Sequence, residues 1–113
     1  MIRRTFAIAG STLFCIVLGA GLFAAPRGAK GDATKGKGVF EQCALCHNVD
    51  SPEKKMGPSL QGLFKRKVLQ NVKAVNDANV IAQINAGGNG MPPYADTLSA
   101  EEKTNLLAYL HTL

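Results

Sequence analysis

Cys43-Ala44-Leu45-Cys46-His47 sets two thiols three residues apart, with an imidazole directly after the second. Side chains of these types at this spacing do one of three kinds of chemistry. They close a disulfide, hold a metal, or attach a prosthetic group. A redox-active Cys-x-x-Cys belongs to a thioredoxin-like alternation of strands and helices, and no strand pattern is visible in this chain. Structural zinc takes four protein ligands. Outside the motif there are only Cys15, in the N-terminal apolar stretch, and His111, near the other end. Two cysteines and two histidines can be counted, but the paired spacing of a zinc finger is missing.

Covalent haem accounts for every residue of the motif. Near the end of a helix, Cys43 and Cys46 lie one turn apart on a shared face. Each thiol can then form a thioether with one haem vinyl group. His47, four residues after Cys43, projects on the same side and offers a ring nitrogen to the iron. C-x-x-C-H is read as a c-type haem attachment signal for that reason. From 3 Cys and 2 His in 113 residues, chance supplies the motif on the order of 0.001 times. One motif means one haem.

The ligand opposite His47 separates an electron carrier from a reactive haem. Met56, Met91 and His111 are the candidates. Met56 follows His47 closely in a lysine-rich loop and reads as cover for apolar surface. His111 lies off the apolar stripe of its helix and reads as an exposed surface histidine. Met91 follows GGNG and precedes Pro92-Pro93, a segment expected to lack a regular hydrogen-bonding pattern and therefore to be held by another contact. It is the expected second ligand. His/Met ligation fills all six iron positions and raises the reduction potential, which is a design for electron transfer. Were Met91 not on the iron, the same chain would read as a peroxidase-like or gas-sensing haem protein.

Helices must position these groups. Asp32 is a good N-cap for a helix running through ATKGKGVFEQC to Cys43. Gly36 and Gly38 weaken it by about 1 kcal/mol each relative to Ala, so both ask for a reason such as close helix contact. Asn48 to Leu60 reads as a loop and QGLFKRKV as a short helical turn. Asn76-Asp77 caps ANVIAQINA, with Val80, Ile81 and Ile84 on one face, and Gly87-Gly88 ends it. GGNGMPPYADT is a loop. Ser99-Ala100-Glu101-Glu102 is a capping box before Leu106, Tyr109, Leu110 and Leu113. No strand pattern or repeat is visible, so the expected class is all-α with long loops that wrap something.

Met1-Ile2-Arg3-Arg4 is a basic start, and 21 residues without a charge follow from Thr5 to Ala25. This order is that of a secretory signal peptide, and the stretch also has the ~20 residues that a membrane anchor takes. Cleaved leader and uncleaved tether through residues 5–25 both stay open. Cys15 reads as a small apolar residue within it. The expected organisation is residues 1–25 as leader or anchor and residues 26–113 as the haem domain, exported to the periplasm. That domain carries 11 Lys/Arg against 8 Asp/Glu, too mild a balance for a nucleic-acid binder. Its only aromatic residues are Phe40, Phe64, Tyr94 and Tyr109, so a cofactor is expected to fill its middle.

From Gly31 to Leu113 the chain resembles a class I cytochrome c. GD-x-x-KGK-x-VF before CALCH is similar to the N-terminal helix of the mitochondrial and related bacterial proteins, and GPSLQGLFKRK to the stretch after their haem motif. The resemblance implies a cytochrome c fold of three to four helices around one covalent haem, and an electron carrier rather than an enzyme. It implies that the Pro58 carbonyl accepts a hydrogen bond from His47, that Leu60 lines the pocket, and that Arg66 approaches a haem propionate. LLAYL resembles the C-terminal helix, with Leu106 and Tyr109 crossing the first helix at Gly36 and Phe40. Between Lys67 and Met91 the chain is shorter than the mitochondrial form and lacks its propionate-binding Trp and Tyr. The Gly-x-x-x-Met-Pro ending of the distal loop resembles the small bacterial cytochromes. Expected partners are redox proteins such as an oxidase or dehydrogenase, met by a monomer. Lys65-Arg66-Lys67 is a candidate steering patch. A haem subunit of a larger complex is the alternative.

Overall fold

The computed structural model describes residues 30–113. The expected leader or anchor lies outside these residues. Within them the regular elements are α1 (Ala33–Phe40), a 3-10 turn (Leu63–Lys65), α2 (Asp77–Ala86) and α3 (Ala100–Leu110), joined by long loops with no strand. That agrees with the all-α expectation.

Each helix starts where a side chain can satisfy its free N–H groups. The Asp32 carboxylate accepts from the Thr34 and Lys35 N–H groups at 2.8 and 3.0 Å. Asn76 Oδ1 accepts from the Asn79 N–H at 2.8 Å. Ser99 and Glu102 form a reciprocal capping box, the Ser99 N–H donating to Glu102 Oε2 at 2.7 Å and the Glu102 N–H to Ser99 Oγ at 3.1 Å.

α1 ends at Phe40, three residues before the expected Cys43. The Glu41 and Cys43 N–H groups donate to Gly38 and Phe40 carbonyls three residues back, a tightening common at helix ends. The chain then runs through turns from Glu41 to Cys46.

α1 and α3 cross in direct contact. A Cβ on Gly36 would overlap the Asn105 carbonyl and meet Tyr109 Cβ at 2.9 Å, so the two backbones touch there. Gly38 has nothing within 4 Å and owes its place to no such contact, contrary to the expectation for both glycines. Phe40 and Tyr109 pack with ring centroids 5.2 Å apart and planes tilted by 53°, a geometry aromatic pairs favour. The Asp32 N–H donates to Asn105 Oδ1 at 2.8 Å across the crossing. Asn105 is thereby a buried polar residue with its partner supplied.

The core comprises Phe40, Leu63, Val80, Ile84, Leu98, Leu106 and Leu110, one or two from every element. Burying residues of this size stabilises by about 1.5–3 kcal/mol each. Around this core lie half-buried apolar side chains, among them Cys43, Leu60, Leu69, Val75, Ile81, Met91 and Tyr94.

Two tight backbone turns were not expected. Residues 67–75 double back: the Val75 N–H donates to the Lys67 carbonyl at 3.0 Å and the Leu69 N–H to the Lys73 carbonyl at 2.8 Å. Its signals are the β-branched Val68, Val72 and Val75 and the Asn71 side chain, which accepts from the Lys73 N–H at 3.1 Å. The second turn is Gly88–Met91, where Gly88 and Met91 exchange N–H to carbonyl bonds of 2.9 and 3.0 Å. Asn89 and Gly90 both have positive φ, 53° and 90°. Asn-Gly is the dipeptide such turns favour. The expectation that this segment lacks a regular hydrogen-bonding pattern is therefore corrected.

Candidate haem site

The turn after α1 brings the motif together. The His47 N–H donates to the Cys43 carbonyl at 3.0 Å and the Cys46 N–H to the same carbonyl at 3.1 Å. Cys43, Cys46 and His47 thus lie on one turn, each half-buried, with both thiols free. Burial, and then the neighbouring Cys46, push the Cys43 thiol above its ordinary 9.0. Cys46 Sγ lies 3.9 Å from the sulfur of Met56, whose side chain is 81% exposed.

Behind the motif the loop is pinned by its own polar groups. The Gly57 N–H donates to the Cys46 carbonyl at 2.8 Å and the Leu60 N–H to the Asn48 carbonyl at 2.8 Å. Ser59 is buried, its hydroxyl donating to the Ser51 carbonyl at 2.5 Å and accepting from the Gln61 N–H at 3.2 Å. This frame presents the Pro58 carbonyl to the imidazole: His47 Nδ1 donates to it at 2.7 Å. A ring donating through Nδ1 carries its lone pair on Nε2, the nitrogen left for a metal. Arg66 Nη2 donates to the Ser59 and Gln61 carbonyls at 2.9 and 2.6 Å. Its charge lies at the rim of a cavity of about 300 Å³ beside Pro58, with Lys54 on the same rim.

The distal segment comes from α2. Gly87, at φ 64°, caps the helix, and the Gly88–Met91 turn follows. Met91 is half-buried and packs against the core, as do Leu60 and Tyr94. The Tyr94 hydroxyl is pushed above its ordinary 10.0 by burial first, then by Cys43 and Cys46. Tyr94, Met91 and Cys43 all pack against the same buried core. Tyr94 is the neighbour that sequence reasoning missed; its one signal is its place three residues after Met91.

His111 does not join the motif. Its Nε2 lies 2.7 Å from Asp77 Oδ1 and its ring stacks on Phe64 with centroids 3.6 Å apart. It is exposed as expected, but partnered. Among the described residues no group of three or more His, Cys, Asp or Glu side chains converges on a metal position, so the two-cysteine, two-histidine zinc reading has no geometry here.

A family profile described as "Cytochrome C oxidase, cbb3-type, subunit III" matches residues 31–110. Cytochrome c-554(547) of Halothiobacillus neapolitanus is 32% identical over 89 residues, covering 74% of this chain and 98% of that one. The chain belongs to the cytochrome c family. A cytochrome c-553-like protein of Synechocystis is also 32% identical, over 74% of this chain and 71% of its own length. The crystal structure of cytochrome c6 from the diatom Phaeodactylum tricornutum superposes with a TM-score of 0.58 at 27% identity, covering 73% of this chain and 93% of that one.

As a mono-haem cytochrome c, the chain carries covalent haem c with its iron and acts as an electron carrier, not an enzyme. The side chains gathered at this site suit that cofactor. They offer two thiols, an imidazole with Nδ1 already engaged, a thioether, and a half-buried apolar lining. Gly57 adds a cradle: a Cβ there would lie 2.5 Å from His47 Cε1, so only glycine leaves the ring its place.

Proposed function

We propose that Cys43 and Cys46 would bind the haem through thioethers, and that His47 Nε2 and Met91 Sδ would ligate its iron. The observation that carries this reading is the His47 Nδ1–Pro58 carbonyl bond of 2.7 Å, which leaves Nε2 free on the turn that bears both thiols. Haem iron supplies a one-electron change between its ferric and ferrous states. Around it, Pro58 fixes the tautomer and basicity of His47. Leu60 and Tyr94 keep water from the cofactor, and the Gly88–Met91 turn presents the thioether. Arg66, at the rim beside Pro58, supplies positive charge for a propionate.

The carrier works outside the cytoplasm, delivered by the basic start and the uncharged stretch from Thr5 to Ala25. Among the described residues no helix is long and apolar enough to cross a membrane; a tether would be the N-terminal stretch. The carrier is a monomer in a respiratory chain, meeting an oxidase or dehydrogenase transiently. A second reading, a haem subunit held within an oxidase complex, is favoured by the match to the family of cbb3-type oxidase subunit III. Solubilising the membranes and purifying the oxidase separates the two readings, since a subunit co-purifies in constant ratio and a carrier does not.

Replacing Met91 with Leu tests the site. The expected outcome is loss of the long-wavelength sulfur–iron absorption band, a lower reduction potential and new carbon monoxide binding. A wild-type protein that already binds carbon monoxide readily, or a Met91→Leu protein with an unchanged spectrum, defeats the ligation. The intact mass of the exported protein reports both leader removal and the addition of one haem.

A further inference from the structure

No Asp or Glu occurs between Glu53 and Asp77, while that interval holds Lys54, Lys55, Lys65, Arg66, Lys67 and Lys73. Arg66 is engaged by loop carbonyls. Lys65, Lys67 and Lys73 are exposed, and two of them stand on the doubled-back segment 67–75. Its tip is apolar. Val72 is 82% exposed and Val68 53%. Val72 also sits at φ 58°, a left-handed conformation in which a β-branched residue is an outlier. The turn closed by the Val72 N–H to Leu69 carbonyl bond of 3.0 Å places a left-handed residue there, yet Gly or Asn would fill the position without strain and without an exposed apolar side chain. Strain kept at an exposed side chain is a pointer to function.

The tip is also tied to the distal side of the haem site. Asn71 Nδ2 donates to Gln83 Oε1 at 3.0 Å, and Gln83 Nε2 donates to the Gly87 carbonyl at 2.9 Å, directly before the Gly88–Met91 turn. A molecule seated on the tip would rest beside the segment that carries Met91.

We propose that residues 67–75 form a docking finger for the redox partner. Val72 enters an apolar notch on the partner, and Lys65, Lys67 and Lys73 meet an acidic rim around it. The inference rests on the electron-carrier reading and names the surface that carrier uses. Cations with no acidic residue among them select an anionic face, steering encounter. The single protruding valine, held by a hydrogen-bonded turn, fits a shaped protein notch better than a lipid surface.

The test uses the full-length haem-loaded protein, reduced, and oxidised by a detergent-solubilised extract of respiratory membranes from the cells that make it. Val72→Asn removes the apolar tip while suiting the left-handed conformation. It is expected to lower kcat/KM about fivefold, with unchanged spectrum and reduction potential and a melting temperature that does not fall. Lys67→Glu with Lys73→Glu is expected to lower kcat/KM about tenfold and to flatten its salt dependence. Turnover of Val72→Asn equal to wild type overturns the finger, as does a loss that follows a changed potential. Loss of binding to phosphatidylglycerol vesicles with turnover intact assigns the tip to lipid and overturns it too. Wild type that the extract cannot oxidise defeats the carrier role itself, whereas oxidation indifferent to both variants defeats the finger alone.

Discussion

Gly57 lies flat against the ring of His47: a Cβ on it would stand 2.5 Å from Cε1 and 2.8 Å from Nδ1. The loop that supplies the Pro58 acceptor therefore also sets the plane of the imidazole. Real Cβ atoms do not approach so closely, so a side chain here must displace the ring or the loop.

Gly57→Ala is expected to lower the yield of haem-loaded protein and to displace its reduction potential. Disturbing the groups behind a metal-bound histidine typically weakens metal binding about 10- to 100-fold. Voltammetry of the purified protein checks this. A potential and yield equal to wild type would mean that the loop yields without moving His47.

The helix crossing gives a paired prediction. Gly36→Ala pushes a methyl group into the Asn105 carbonyl, and overpacking of this kind destabilises by about 1–3 kcal/mol. Gly38→Ala meets nothing within 4 Å and is expected to stabilise by up to about 1 kcal/mol through helix propensity alone. Guanidinium unfolding of the two haem-loaded variants should give shifts of opposite sign.

Tyr94 makes stability depend on alkaline pH. Burial, followed by Cys43 and Cys46, raises its hydroxyl above 10.0. Once the sulfurs are thioethers they bear no charge, and burial keeps the direction. A raised value means that the folded state favours the neutral phenol. The contribution is therefore whole below 10.0 and is lost as pH rises through the folded value. The melting temperature of the haem-loaded protein should fall above pH 10, and less steeply for Tyr94→Phe. Identical slopes would remove Tyr94 from this role.

His111 joins α3 to α2 and to the 3-10 turn through Asp77 and Phe64. Both partners are substantially exposed, and exposed pairs contribute about 0–1 kcal/mol. His111→Ala is expected to destabilise by about 1 kcal/mol, stacking included. The contact is an ion pair only with His111 protonated, and under acidic conditions high salt should then shrink the difference by screening it. Denaturant unfolding at low and high salt measures it.

Local signals were legible where a few neighbouring residues decide the outcome. Asp32, Asn76 and Ser99 start the helices as their side chains dictate, because a cap is completed within three or four residues. Turns were harder to read. Asn89-Gly90 carried a hairpin signal that the prolines beyond it obscured. The doubling back at 67–75 is held by bonds spanning four to eight residues, which no helical period reveals.

Long-range partners lay beyond reach of the sequence. Asn105 reads as an ordinary polar helix residue until the Asp32 N–H, 73 residues away, meets its side chain. His111 read only as an exposed surface histidine for the same reason: its partners Asp77 and Phe64 come from elements far along the chain.

The order of thiols and imidazole from Cys43 to His47, the caps, and the composition without strand pattern determined a helical haem carrier by themselves, since attachment chemistry depends on covalent spacing along one turn. Which nitrogen of His47 is engaged, why Gly36 and not Gly38 must be small, and where Val72 projects were decided only by the tertiary structure. Those properties depend on distances between segments remote in the chain, and packing alone sets such distances.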